Sequence, residues 1–225
     1  MANLAVPIGR REAGKAERRA RIIQAARDLI RDTGDAGLSM RALAARAGVS
    51  LATPYNLFGS KRAIVLAVLQ DVREFIDRFS NLPAADPLER IFATVDLSIS
   101  YYVADPRFYR TLWSTVFDTA DEVRGEVLSP QRDAFWRSLV MAAAEAGVIE
   151  ASVNLDLLQR QLDFILRAAM LDWVVGEIKS DSLAPTIRLG YGLILCGAAT
   201  ESWRKRLQDH IQADQSAVLA AKVKP

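Results

Sequence analysis

The amino-acid sequence predicts an all-α fold with a small N-terminal part and a larger C-terminal part. Apolar residues recur every three to four positions over most of the 225 residues, which is the spacing of amphipathic helices. No segment of convincing length alternates apolar and polar residues as a strand would. Helix-capping residues divide the first 60 residues into short segments, whereas the later helical stretches are long.

Capping residues set the limits of the first helices. Gly34 is the predicted C-cap of the first helix, and Ser39 and Ser50 are the predicted N-caps of the second and third. Gly59 and Ser60 separate the third helix from a fourth. The predicted helices span about 15–33, 39–46, 50–58 and 61–79.

A proline-containing linker, Leu-Pro-Ala-Ala-Asp-Pro, follows Asn81 and marks a predicted domain boundary. We expect an N-terminal domain over 1–60, a connecting helix over 61–80 and a larger helical domain over 81–225. The helices predicted in the larger domain span about 88–104, 106–119, 130–146, 155–178 and 184–212.

Composition excludes several classes of protein. Cys196 and His210 are the only cysteine and histidine, which leaves no disulfide, thiolate cluster or imidazole zinc site, so no metal and no cofactor are expected. Neither residue has the setting of a catalytic nucleophile or base, so an enzyme is not expected. The longest apolar run, 189–199, is far shorter than the roughly 20 residues of a membrane helix. We expect a cytoplasmic protein.

The charge is distributed unevenly along the chain. Residues 1–62 carry 12 Lys and Arg against 5 Asp and Glu, a net charge of +7, whereas the remainder carries 17 against 22, a net charge of −5. Such an asymmetry indicates that the first segment meets a polyanion. A solvated basic helix is the alternative, and the motif within the segment must decide between them.

The segment 39–58 has the spacing of a helix-turn-helix. Two helices cross closely only where side chains are small and the turn accepts a positive φ, and Ala44 and Gly48 meet these needs four residues apart. An unrelated helical hairpin with this spacing is the alternative. Apolar residues occupy the packing positions of such a unit: Leu43, Ala47, Val49, Pro54 and Leu57.

Residues 22–65 closely resemble the N-terminal DNA-binding domain of TetR-type repressors. The resemblance implies a homodimer that places a recognition helix of each subunit in a major groove of a palindromic operator. It also implies a C-terminal domain whose small-molecule effector releases the DNA. After residue 80 the resemblance is architectural only. The matching segments are 38–44 (LSMRALA), 47–50 (AGVS) and 53–55 (TPY), with Phe58, Ser60 and Lys61.

The resemblance implies phosphate-binding roles near the motif. Thr53 and Tyr55 match positions whose hydroxyls hold backbone phosphates, and Lys61 matches a lysine that faces a phosphate together with a helix N-terminus. Ser39 matches a position whose backbone amide meets phosphate. Packing of Tyr55 against the first helix is the alternative to its DNA contact. Arg41 and Ser50 are further candidate DNA contacts on the same motif.

Base recognition is predicted at the front of the third helix. Leu51 and Ala52 can press on thymine methyl groups, and Asn56 can pair with an adenine edge. Pro54 departs from the small or aliphatic residue that is commoner in the family. Because proline lacks an N–H, it predicts a third helix that begins later or more tightly than usual.

Basic residues ahead of the first helix form a candidate arm that lies along phosphates or enters a minor groove. A tail that merely aids solubility is the alternative. Neutralising Arg18 and Arg19 is predicted to weaken binding uniformly across sequences and to flatten its salt dependence. The arm consists of Arg10, Arg11, Lys15, Arg18 and Arg19.

Aromatic residues are dense in the C-terminal part and predict a site for a small hydrophobic or aromatic effector. An ordinary aromatic core is the alternative. Arg167 and Asp172 lie in an otherwise apolar helix, so each is expected to have a partner. A buried ion pair and a bound ligand explain these two residues equally well. Arg110, Thr111 and Gln161 are candidate orienting groups. The predicted ligand-binding residues are Tyr102, Phe108, Trp113, Phe117, Trp136, Phe164, Arg167 and Trp173.

The last two long helices are predicted to form a homodimer interface, as the resemblance also implies. An intramolecular core is the alternative. A dimer would place its recognition helices about 34–36 Å apart on a palindrome. The helix over 155–178 has a wide apolar stripe of Leu158, Leu162, Ile165, Leu166, Ala169 and Trp173. The last helix has a small-residue face of Gly190, Leu193, Ile194, Gly197 and Ala198.

The functional expectation is therefore a ligand-responsive repressor. A regulator of the same fold that needs no effector is the nearest alternative. A small-molecule binding protein with a vestigial DNA domain and an enzyme or carrier that uses the aromatic cavity are the alternatives from other classes.

Overall fold

The computed structural model describes residues 10–33, 38–70, 79, 82–117 and 130–222. The predicted all-α fold is confirmed: these residues form ten helices, and their extended pairing is limited to one isolated bridge between Ile149 and Ala199. The chain divides into two compact units, an N-terminal unit, Met1–Val72, and a C-terminal unit, Arg73–Pro225. The predicted C-cap Gly34 lies outside the described residues.

Four helices of the N-terminal unit are described: α1 (Arg10–Thr33), α2 (Met40–Ala47), α3 (Ala52–Phe58) and α4 (Lys61–Gln70). The apolar stripe of α1 is buried, and Ile22, Ala26 and Ile30 have no exposed surface. Ile64 of α4 is equally buried. Burial of these aliphatic side chains stabilises the unit, at about 25 cal/mol for each Å² of apolar surface removed from water. Residues 71–78 of the predicted fourth helix lie outside the described residues.

Six helices of the C-terminal unit are described: α5 (Pro87–Ala104), α6 (Pro106–Phe117), α7 (Pro130–Glu145), α8 (Leu155–Val175), α9 (Ser180–Ala198) and α10 (Glu201–Lys222). Asp86 begins α5 because its carboxylate accepts hydrogen bonds from the N–H groups of Leu88 and Glu89. Asn154 caps α8 in the same way, and Gly176 ends it with a left-handed backbone.

The prediction of a single helix over 184–212 is wrong, because the chain forms two helices there, α9 and α10. Ala199 is extended, and it pairs with Ile149 in the bridge. The N–H of Thr200 donates to Val148 O at 3.0 Å, and its hydroxyl donates to Gly147 O at 2.7 Å. These hydrogen bonds to a loop some 50 residues earlier in the chain replace helical ones.

Charged side chains join α10 to α5. Arg206 lies 2.6 Å from a carboxylate oxygen of Asp86 and 2.7 Å from one of Glu89, and His210 Nε2 lies 2.9 Å from Glu89. Partial burial opposes ionisation of both carboxyls. Hydrogen bonds from the α5 backbone and Arg206 to Asp86, and from Arg206 and His210 to Glu89, outweigh it and hold the pKa of each below its ordinary value.

A second charged contact links three helices. Arg188 of α9 pairs with Asp96 of α5 and, at 2.6 Å, with the buried Asp214 of α10. Burial opposes the charge of Arg188, but the two carboxylates outweigh burial and raise its pKa. The guanidinium therefore supplies the buried carboxylate with the counter-charge that it requires.

Candidate DNA-binding surface and effector region

The turn between α2 and α3 has the geometry of a helix-turn-helix. The hydroxyl of Ser39 accepts a hydrogen bond from the N–H of Ala42 at 3.1 Å and begins α2, as predicted. Gly48 ends α2 with φ 64°, a conformation that favours glycine because it has no Cβ. The N–H of Val49 donates to Ala44 O at 3.0 Å and closes the turn. The helix-capping signals in the sequence therefore set this crossing.

The start of α3 differs from the prediction, because Ser50 does not cap it with its side chain. The hydroxyls of Ser50 and Thr53 hydrogen-bond to each other at 2.8 Å, and the N–H of Thr53 donates to Ser50 O at 2.9 Å. This is a tight three-residue turn, after which α3 begins at Ala52.

Pro54 is the third residue of α3, and its ring is buried. The first few N–H groups of a helix have no partner within that helix, so the missing N–H of Pro54 breaks no hydrogen bond. Gly59 ends α3 by donating to Tyr55 O at 2.8 Å. The hydroxyl of Ser60 then accepts the N–H of Ala63 at 3.1 Å and begins α4.

The solvent-facing side of α3, together with Leu51 just before it, carries residues predicted to contact DNA bases or phosphates. Leu51 is 48% exposed and Tyr55 is 51% exposed, and Ala52 and Asn56 are also exposed. Thr53 is half-buried. Tyr55 is therefore not a core residue of the unit. A large apolar side chain and an aromatic ring held in solvent on one short helix indicate a contact surface.

The remaining predicted phosphate contacts lie on both sides of α3 in the sequence. Ser39 and Arg41, at the start of α2, are exposed, although the hydroxyl of Ser39 is already used as a cap. Lys61 is the first residue of α4 and is half-buried. The backbone N–H groups at the starts of α2 and α4 and the ammonium of Lys61 all carry positive or partial positive charge.

A basic cleft of about 540 Å³ separates the start of α1 from α3. The predicted arm does not precede the first helix, because α1 begins at Arg10 and the arm residues form its first turns. Three cations and one carboxylate of α1 therefore face α3 across the cleft. Its lining residues are Arg11, Glu12, Lys15, Arg18, Thr53, Asn56 and Leu57.

Arg19 has different contacts from its neighbour Arg18. Its Nη1 donates to the carbonyl oxygen of Leu57 at 3.1 Å, and its guanidinium carbon lies 4.2 Å from the ring centre of Phe58. Both acceptors are in the last turn of α3. Arg18 instead lines the basic cleft.

Aromatic rings of α5 and α6 pack against one another in the C-terminal unit. Tyr102 lies 5.2 Å from Tyr109 and 5.8 Å from Trp113, both edge-on, and Trp113 stacks on Phe117 at 5.6 Å. Phe108 is buried and contacts Tyr109. Four of the predicted ligand-binding residues therefore form one aromatic cluster: Tyr102, Phe108, Trp113 and Phe117.

Two more predicted aromatic residues are buried on other helices. Trp173 of α8 is fully buried, and its Nε1 donates to the hydroxyl of Ser180 at 3.0 Å. The guanidinium of Arg110, one turn before Trp113 on α6, lies 5.0 Å from the Trp173 ring and extends the cluster to α8. Trp136 of α7 is also buried and contacts Tyr191 of α9 edge-on at 6.3 Å.

Among the described residues of α5 and α6, Arg110 Nε and the hydroxyl oxygen of Thr94 are buried without a hydrogen-bond partner. The sequence analysis named Arg110 and missed Thr94, because one threonine on an apolar helix gives no signal of its own. A buried polar atom without a partner costs about 1–3 kcal/mol. The other proposed orienting groups differ: the hydroxyl of Thr111 donates to Arg107 O at 3.0 Å, and Gln161 is exposed.

Phe164 and Arg167 lie apart from the buried rings. Phe164 is 50% exposed, and the guanidinium of Arg167 lies 5.2 Å from its ring and donates to Asp163 O. Asp172 is exposed. The buried ion pair, one of the two alternatives for these residues, is therefore not formed, because Arg167 is only half-buried and Asp172 is exposed.

The predicted dimer stripe of α8 is also largely buried within its own unit. Leu158, Leu162 and Leu166 are core residues, and a Cβ at Gly190 would lie only 2.6 Å from Ile165 Cγ2. Gly190 therefore lets α9 approach α8 within one chain, which is the intramolecular alternative. Other large apolar residues of these two helices are exposed: Leu157, Phe164, Leu171, Val175 and Leu193.

The capped turn and the exposed short helix form a helix-turn-helix, and a larger helical unit follows it. Residues 22–68 match the family described as bacterial regulatory proteins, tetR family. This match to the TetR family's DNA-binding domain lies where the sequence analysis found the resemblance, and it covers residues 22–68 alone. Within the described residues, no helix has the length and apolar character needed to cross a membrane.

Individual relatives show how far the similarity extends. The HTH-type transcriptional repressor KstR of Rhodococcus jostii strain RHA1 is 41% identical over 76 residues, which are 33% of this chain and 36% of KstR. The chain thus aligns with about a third of that curated relative.

Solved structures resemble the chain over most of its length. FadR of Thermus thermophilus, a TetR-family repressor in complex with lauroyl-CoA, has a TM-score of 0.69 at 20% identity over 81% of this chain and 96% of that one. RolR in complex with resorcinol has a TM-score of 0.66 at 18% identity over 89% of this chain and 95% of that one. At these identities the likeness shows the fold.

Proposed function

We propose that this protein is a transcriptional repressor that binds a palindromic operator as a homodimer and is released by a small, mainly hydrophobic or aromatic effector. The observation that carries the proposal is the exposed face of α3 beside a basic cleft, on a helix-turn-helix whose caps fix its geometry. The exposed apolar and aromatic side chains suit contacts with the base edges of DNA, and the cations that line the cleft suit contacts with its phosphates.

Two sets of side chains divide the DNA contacts. Leu51, Ala52 and Asn56 reach base edges in the major groove, where leucine and alanine favour thymine methyl groups and asparagine favours adenine. Thr53, Tyr55, Lys61 and the cations of the basic cleft hold the sugar-phosphate backbone. Ser39, Arg41 and Ser50 lie on the same motif and complete this second set.

The homodimer uses the exposed apolar face of α8, and not the buried stripe that the sequence analysis favoured. Leu157, Phe164 and Leu171 are separated by seven residues, so they lie on one side of the helix. Val175 continues this side, and Leu193 of α9 is exposed as well. Such a row of large apolar side chains gains free energy when a second copy covers it.

The effector binds at the aromatic cluster of α5, α6 and α8. Its rings favour a flat or apolar body, and Arg110 Nε, a donor without a partner, favours a hydrogen-bond acceptor on the effector. Resorcinol in RolR and lauroyl-CoA in FadR both combine an apolar or aromatic part with oxygen acceptors. These ligands belong to proteins of the same fold and suggest which compounds to test first.

The first test selects bound sequences from random duplex DNA with the full-length protein. We expect enrichment of a palindrome whose half-site centres lie about one helical turn apart. Enrichment of no sequence would reject operator recognition. Enrichment of a single half-site would reject the dimer.

The second test screens aromatic acids, phenols and acyl thioesters for release of the selected DNA in a mobility-shift assay. A releasing compound should lose its effect in Arg110→Met, whereas Gln161→Met, an exposed change on α8, should leave release intact. A protein that binds its operator and responds to none of these classes would favour the effector-independent regulator.

A further inference from the structure

We infer that Arg19 is a positioning residue that fixes the recognition helix α3 to α1, and that it is not a phosphate contact. The inference rests on the proposed DNA-binding function. It separates two adjacent arginines that the sequence analysis treated as equivalent members of a basic arm. Arg18 keeps the role of a phosphate contact in the basic cleft.

The recognition helix needs support from outside because it is short. It has seven residues, and its first turn has no side-chain cap. Isolated helices of this length are unstable in water, so their geometry depends on tertiary contacts. Pro54 secures the inner face of the first half of α3.

Arg19 supplies the corresponding contact at the other end. The last carbonyl groups of a helix lack partners within that helix, and Nη1 of Arg19 satisfies the one on Leu57 at 3.1 Å. A cation at a helix C-terminus also interacts favourably with the helix dipole. The guanidinium lies over the ring of Phe58, at 4.2 Å, and this contact fixes the rotation of the last turn.

These contacts limit what Arg19 offers to DNA. One carbonyl oxygen and one ring face orient the planar guanidinium of this exposed side chain, so a phosphate that required another orientation would break both contacts. Arg18, the next residue on α1, lies with Thr53 and Asn56 in the lining of the cleft. Loss of Arg19 should therefore disturb the orientation of α3, whereas loss of Arg18 should remove one charge from the DNA interface.

The decisive experiment compares Arg19→Met with Arg18→Met, the same substitution one residue apart. Binding to the selected operator and to unrelated DNA is measured over a range of salt concentrations. Arg18→Met should weaken both by the same factor and reduce the salt slope by about one. Arg19→Met should weaken operator binding about tenfold, leave binding to unrelated DNA nearly unchanged and keep the wild-type slope.

Arg19→Lys separates charge from geometry. A lysine restores the positive charge but has neither the planar fork nor the extended face of the guanidinium. We expect Arg19→Lys to retain at least half of the operator-binding defect. Full rescue by lysine, together with a reduced salt slope in Arg19→Met, would overturn the inference and make Arg19 a phosphate contact.

Hydrogen exchange without DNA tests the positioning role independently of operator binding. In Arg19→Met the amides of residues 52–59, apart from Pro54, which has no N–H, should exchange about fivefold faster, the effect of losing roughly one net hydrogen bond. In Arg19→Met the amides of α2 should exchange at the wild-type rate. In Arg18→Met the amides of residues 52–59 should also exchange at the wild-type rate. Equal protection of 52–59 in all three proteins would reject the inference, whereas a wild type that binds no DNA would reject only the proposed function.

Discussion

The two units differ in how their geometry is encoded. In the N-terminal unit, the ends of α2 and α3 depend on contacts within four residues, such as Ser39 with Ala42 and Gly59 with Tyr55. In the C-terminal unit, decisive contacts join distant parts of the chain, such as Arg188 with Asp96 and Arg206 with Glu89. Because its contacts are local, the helix-turn-helix motif can be recognised in the sequence. In the larger unit, which residues are buried and which are exposed depends on contacts between distant residues, so the sequence pattern does not predict it.

The largest expected effect tests whether α8 has one buried and one exposed face. Trp173→Ala removes a fully buried ring and its hydrogen bond to Ser180, and should lower the free energy of unfolding by about 3–5 kcal/mol. Urea denaturation followed by tryptophan fluorescence measures it, because all four tryptophans lie beyond residue 72. Phe164→Ala, on the same helix but half-exposed, should cost less than about 1 kcal/mol when it is measured at a protein concentration that keeps the chain monomeric. Equal losses would contradict the assignment of the two faces.

The next effect tests the proposed dimer. Leu171→Glu places a charge on the exposed face of α8 and should raise the dimer dissociation constant about 100-fold, because the carboxylate would be buried without a partner. Met141→Glu is a matched control, since Met141 and Leu171 are both 42% exposed and Met141 lies on α7. Sedimentation equilibrium distinguishes the two variants. A dimer that survives Leu171→Glu places the interface elsewhere.

A smaller effect tests the local encoding of the motif. Gly48→Ala forces a Cβ onto a backbone with φ 64°, although no atom lies within 4 Å of it, so the expected cost of about 1–2 kcal/mol is purely conformational. Gly197→Ala also meets open space but lies in α9 without a positive φ, so it should be neutral or stabilising. Thermal denaturation of both variants measures the contrast. A cost of the same size at both sites would remove the special role of the turn.

The smallest effect concerns pH and the charged contacts of α10. The folded-state pKa values of Asp86 and Glu89 are lowered, so the two carboxylates stabilise the fold above their ordinary values of 3.8 and 4.5. That contribution is lost as the pH falls below about 4.5 and through the lowered values, and it amounts to roughly 1 kcal/mol because the pairs are partly exposed. Glu89→Gln should flatten the acid limb of a stability profile, and an unchanged limb would show that these pairs contribute nothing.

The sequence predicted the features that depend on neighbouring residues. Ser39 and Gly48 cap α2 as expected, since cap chemistry acts over one helical turn. The break at Ala199 was not predicted because alanine favours a helix. The helix ends there because Ala199 pairs with Ile149, which is distant in the sequence. Phe164 was assigned to the interior because apolar residues occupy several sides of α8, and periodicity alone does not choose between two apolar faces.

The candidate functional residues also differ in whether neighbouring or distant residues determine their contacts. Tyr55 lies in solvent as expected of a DNA contact, since its short helix offers no core to fill. Arg18 and Arg19 were indistinguishable in the sequence, because only the folded chain brings Leu57 and Phe58 beside one of them.

Under the proposed function, the buried Pro54 affects the rate at which the protein associates with DNA. Its ring restricts the backbone of the recognition segment before any DNA arrives, which removes about 0.4–1 kcal/mol of conformational freedom from the unordered state. A segment that is ordered in advance spends less of its contact energy on becoming ordered during association. The recognition helix is therefore already ordered when it meets a candidate site. We expect electrostatic attraction and orientation to determine the association rate more than folding on the DNA does.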